Sequence, residues 1–122
     1  MAVALMSVIS VNQDAFASES GMSVTATAAE GGNIISVTGS TTSNQGDVAF
    51  TVTTPDDFNL QTIGQETPDA NGEFSVEFNV SNWKQDGMYK IIAKQGVSSL
   101  YNIKLYVEVT SGTTAETSTT DS

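Results

Sequence analysis

The sequence contains neither cysteine nor histidine, and this double absence removes most of the chemistry available to a protein of its size. Without thiolate or imidazole, the usual ligands for zinc, copper, haem iron and iron–sulfur clusters are missing, so no cofactor is expected. Ser-His-Asp and Cys-His catalysis fall with them, and no disulfide can brace the fold. Arginine is absent too. The four basic residues are Lys84, Lys90, Lys94 and Lys104, against fourteen acidic ones, for a formal net charge of −10. A phosphate backbone has to be met by clustered Lys and Arg, so nucleic acid is not an expected partner, and anionic membranes repel such a chain. Proline occurs only twice, and Lys and Glu are scarce beside Thr, Ser, Gly, Asn and Gln. That composition disfavours long helices and suits strands and turns. With 122 residues, one domain with one modest core is expected.

What is present divides the chain into three segments. Residues 1–11 are apolar over about the length of a signal-peptide core, too short to span a bilayer, and Ala15-Phe16-Ala17 has the small-x-small pattern of a signal peptidase site. Residues 1–17 are therefore expected to be an export signal removed before Ser18. Residues 18–110 are expected to form the folded domain. Residues 111–122 hold no apolar side chain larger than alanine, which predicts a disordered Thr/Ser-rich tail, with no membrane anchor in the mature chain.

Between Ser18 and Val109 the pattern is period two, interrupted by Gly, Asn, Asp, Pro and Ser. Val24, Ala26 and Ala28 give one strand; Ile35 and Val37 a second, after the turn Glu30-Gly31-Gly32-Asn33. Val48, Phe50 and Val52 give a core strand stopped by Pro55-Asp56-Asp57. Residues 60–66 alternate poorly and read as an edge strand. Phe74, Val76, Phe78 and Val80 alternate with Glu73, Ser75, Glu77 and Asn79, which predicts one buried and one wet face. Residues 88–95 give a sixth strand, and Tyr101, Ile103, Leu105, Val107 and Val109 the last. About seven strands with regular turns predict an all-β fold, an immunoglobulin-like sandwich of two antiparallel sheets. At the mouth of the sixth strand, Asp86-Gly87-Met88-Tyr89 predicts a tyrosine corner, with Trp83 capping one end of a core that includes Phe50 and Phe74.

Four runs then show a resemblance: Gly46-Asp47-Val48; Val52-Thr53-Thr54-Pro55-Asp56; Gln65-Glu66-Thr67-Pro68-Asp69-Ala70-Asn71-Gly72-Glu73-Phe74; and Trp83-Lys84-Gln85-Asp86-Gly87-Met88-Tyr89 with its continuation to Gly96. From about Val37 to Val109 the chain resembles an immunoglobulin-like domain of exported proteins of ammonia-oxidising archaea. Many of those carry a Pro-Glu-Phe-Gly type sorting segment and an anchor. The resemblance implies a cell-surface or extracellular location and a protein or glycan partner at the envelope, such as a surface layer.

Candidate sites are few. Asp56, Asp57, Asp69 and Asn71 are the oxygen donors best placed for Ca²⁺, but their spacing does not match an EF-hand loop, and turn chemistry accounts for them better. Glu73 and Glu77 share one face of a strand beside Ser75 and Asn79, which reads as a solvated surface, not a paired-carboxylate active site. Asn79-Val80-Ser81 is an N-glycosylation sequon on an outward position. No catalytic residue is expected. The leading function is therefore a secreted or envelope structural or interaction module. The alternatives are a glycan- or peptide-binding module using Phe58, Tyr101 and Tyr106 as one patch, or a filament subunit that adds a terminal strand to a neighbour.

Overall fold

The computed structural model describes residues 21–44, 46–56 and 59–122. The expected export signal, Asp57 and Phe58 lie outside the described residues. Nine strands are assigned among those described: β1 Met22–Ala28, β2 Ile34–Thr41, β3 Val48–Thr53, β4 Leu60–Glu66, β5 Glu73–Asn79, β6 Gly87–Lys94, β7 Asn102–Thr110, β8 Thr113–Thr114 and β9 Thr117–Asp121. They form two sheets, β5-β2-β1-β9 and β4-β3-β6-β7-β8, with every paired neighbour antiparallel. The fold is an immunoglobulin-like β-sandwich, and the seven strands expected from alternation are all present.

Alternation explains how the sheets close on each other. In β7 each odd residue from Ile103 to Val109 is buried and each even one is exposed, which a flat pleated strand with one dry face requires. The inward residues of both sheets meet in one core, from Met22, Val24 and Ala26 on β1 to Ile91 and Ala93 on β6. A column of aromatic rings runs through it. Phe50 packs 5.8 Å from Phe74 and 6.4 Å from Phe78; Phe78 lies 6.5 Å from Trp83, which lies 4.7 Å from Tyr89. These are tilted or edge-on pairs, the geometry the ring quadrupoles favour. As expected, β4 is an edge strand; its pairing with β3 shifts register at Val52/Thr53.

The expected disordered tail is instead ordered. After β7 the chain turns through Ser111 and Gly112, both at positive φ, into β8, and β9 then pairs with β1 from Ala28↔Thr117 to Val24↔Asp121. Thr114 is buried and donates its hydroxyl to the Ala29 carbonyl at 2.6 Å, while Thr25 and Thr120 share a hydroxyl hydrogen bond of 2.8 Å. The tail orders without apolar side chains because a backbone ladder needs none, and β-branched threonine suits a pleated edge. The folded unit therefore extends to Asp121. Since β9 runs antiparallel to β1, Asp121 returns to the end of the sandwich where Gly21 is held by Thr42.

Candidate functional site

The two outward faces of the sandwich are chemically unlike. On the four-stranded sheet, register lines up Ser75, Thr38, Thr25 and Thr120 in one row and Glu77, Ser36, Thr27 and Ser118 in the next, with Glu73, Ser40 and Ser23 beside them. This face is hydroxyl-rich and anionic. On the five-stranded sheet the rows are Leu60, Thr53, Lys90 and Tyr106; Ile63, Thr51, Ile92 and Lys104; and Gln65, Ala49, Lys94 and Asn102, with Met88 paired to Glu108 at the margin. Three of the four lysines therefore lie on one face. So do four of the six exposed large apolar side chains among the described residues: Leu60 at 62%, Ile63 at 67%, and Met88 and Tyr106 at 48% each. Exposed apolar side chains at the β4 edge and on β6 and β7, interspersed with three lysines on β6 and β7, make this face the candidate interaction surface.

The corner that sets β6 on this sheet is built as expected. The Tyr89 hydroxyl donates to the Gln85 carbonyl at 2.8 Å and accepts the Gln85 N–H at 3.2 Å, with its ring buried against Trp83. Asp86 accepts the N–H of Ser111 at 2.9 Å, which ties this corner to the β7–β8 turn. Gly87 has φ 137°, and a Cβ there would lie 2.9 Å from the Pro55 side chain. Burial raises the Tyr89 hydroxyl above its ordinary pKa, offset to a degree by the Gln85 hydrogen bond and reinforced by Asp86 and Asp56. The folded state therefore resists ionisation of this group while the unfolded chain ionises near pH 10. Its contribution is intact below that pH and is lost as pH rises toward the folded value. Tyr89→Phe should cost about 1–3 kcal/mol at neutral pH, because the Gln85 carbonyl loses its donor. In denaturant titrations across alkaline pH, that gap between variant and wild type should narrow above pH ~10.

Residues 12–108 match the sequence model of the macroglobulin-like domain. The chain belongs to the macroglobulin-like domain family. No curated protein and no solved structure matches it. This is an immunoglobulin-like family, in keeping with the strand order above, and folds of this kind usually carry no catalytic activity. In this macroglobulin-like domain the matched residues end at Glu108, before β8 and β9.

The remaining expected residues of the macroglobulin-like domain fall into structural places. Phe50, Phe74 and Trp83 are buried in the aromatic column, and Trp83 closes the end next to the tyrosine corner. Asp69 accepts the N–H groups of Asn71 at 2.8 Å and Glu73 at 2.9 Å, so one of its oxygens closes the β4–β5 turn. Asp56 lies in the β3–β4 loop, at the opposite end of β4 from Asp69 and Asn71, so it is not brought together with them. Asn79 is exposed at the end of β5, and its Oδ1 accepts the N–H of Ser81. Tyr101 is half-buried and hydrogen-bonds Thr42 at 2.8 Å, whereas Tyr106 stands on the outward face of β7; the two do not share a patch.

At the end of the sandwich holding Gly21 and Asp121, a cavity of ≈ 1530 Å³ opens between the β2–β3, β4–β5 and β6–β7 loops. Buried Gln95 braces its wall. The Gln95 amide donates to the Ser43 and Gly46 carbonyls and accepts the Thr41 hydroxyl at 2.6 Å. These polar groups act to hold the loops together. Sequence reasoning did not single out the candidate face: Lys90, Lys94 and Lys104 lie at outward positions of two neighbouring strands, but only register sets Ile63, Leu60 and Tyr106 on the same face.

Proposed function

We propose that this domain is a non-catalytic interaction module working outside the cytoplasm, and that it engages an acidic partner through the outward face of the five-stranded sheet. The observation that carries the reading is the contrast between the two faces. Three lysines stand among Tyr106, Met88, Ile63 and Leu60 on one side, in a chain with ten more negative than positive charges. Apolar contact provides adhesion, and the lysines of β6 and β7 select an anionic partner and disfavour a basic one. The absence of imidazole and thiol fits a role in adhesion better than one in turnover.

The apolar leader with Ala15-Phe16-Ala17 supports export, and residues 65–74 and 83–96 support an archaeal envelope setting, where acidic surface-layer proteins or glycans would be available partners. In the native host, the protein should be recovered from the envelope or medium with Ser18 at its N-terminus. High salt should release the envelope-bound fraction, because the lysines act through screened charge. A double Lys94→Glu, Lys104→Glu variant should keep its melting temperature and lose envelope retention several-fold. Recovery from cytosol alone, or retention unchanged by the reversal, would refute the proposal.

A further inference from the structure

A sandwich has four sheet edges, and each exposed edge offers unpaired N–H and C=O groups to another strand unless something blocks it. Three of the edges here are obstructed. β8 is two residues long, β9 is five residues long and packs against β7, and β5 carries Glu73 and Glu77. Two β5 strands paired about Val76 would set four carboxylates in one diagonal neighbourhood, which is repulsive.

β4 differs from all three. Its sequence, Leu-Gln-Thr-Ile-Gly-Gln-Glu, contains no lysine and no proline, and its one charge is at the last position. Leu60 and Ile63, both about two-thirds exposed, border the open edge. We infer that β4 pairs with β4 of a second copy, antiparallel about a two-fold axis at Ile63, joining two five-stranded sheets into one of ten strands. In that register Ile63 faces Ile63, Gln61 faces Gln65, and each Glu66 faces Leu60. The two Glu66 carboxylates then sit about 20 Å apart at opposite ends of the ladder, beyond the screening length at ordinary ionic strength. An isologous pairing of this kind closes on itself and does not propagate. It extends the interaction-face reading by setting two lysine-bearing faces side by side, yet it stands on edge chemistry alone.

Because each copy is strongly acidic, association should strengthen with salt, the opposite of lysine-mediated binding to an acidic partner. Sedimentation of the full chain over a concentration series, at about 0.02 and 0.5 M salt, should show a monomer–dimer equilibrium that shifts to dimer at high salt. Amide hydrogen exchange in residues 61–65 should slow as concentration rises. Ile63→Lys should leave the melting temperature unchanged and sediment as a monomer throughout. The inference is overturned by a monomer under every condition, or by a dimer that persists in Ile63→Lys with unchanged β4 exchange. The Lys94→Glu, Lys104→Glu variant should still dimerise, so failure of the partner reading and failure of this one give different results.

Discussion

Phe50→Ala should lower the unfolding free energy by about 3–5 kcal/mol, the largest single loss expected in the chain. Phe50 is fully buried on β3, an interior strand flanked by β4 and β6, and it contacts both Phe74 and Phe78 from the facing sheet. Truncation removes the ring that joins the two layers and leaves a void lined by rigid aromatic groups, which collapse poorly into it. Two ring–ring contacts are lost in addition to the buried area. A domain of this length has about 5–15 kcal/mol in total, so the variant should unfold at a much lower denaturant midpoint, with little change in slope if two-state behaviour persists. Equilibrium urea unfolding followed by Trp83 fluorescence would measure it. A loss under about 1 kcal/mol would mean the sheets are not held together through this column.

Gly72→Ala should cost about 2–4 kcal/mol, although the residue lies in a loop. Its φ is 80°, where an L side chain is strained, and a Cβ would collide with the Thr41 carbonyl oxygen. The same glycine accepts the Thr41 N–H at 2.8 Å, so the substitution displaces a hydrogen bond between the β4–β5 turn and the end of β2. The loss should appear as a reduced thermal midpoint, and Asn71→Ala, one position earlier and exposed, should have a much smaller effect. Equal effects at the two positions would contradict the close contact.

These two residues show what in the sequence was legible. Phe50 could be placed in the core because Val48, Phe50 and Val52 repeat every second residue, and burial follows that period without regard to partners. Gly72 could be placed in a turn from Asp69-Ala-Asn-Gly, and the structure supplies the reason: Asp69 accepts two turn N–H groups and Gly72 supplies the positive φ. The motif behind the family resemblance is thus largely structural. Tyr89 was legible for the same reason, since a corner is local.

Two things were not legible, and both are long-range. β9 has no apolar signal because its order comes from hydrogen bonds to β1, at the far end of the folded unit. The proposed interaction face depends on register between four strands, which sets Leu60, Thr53, Lys90 and Tyr106 in one row although they span nearly half the sequence. Taken singly, Leu60, Lys90 and Tyr106 are ordinary outward side chains of half-wet strands. Only the alignment makes a surface of them.

The return of β9 alongside β1 also governs how the domain bears mechanical load. Tension applied through Gly21 and Asp121 enters at the same end of two adjacent antiparallel strands, so their hydrogen bonds break in succession and do not share the force. Such a unit opens like a zipper at modest tension, beginning with the short β9. In any longer chain it would stand out sideways as a knob whose β9 gives way before its core.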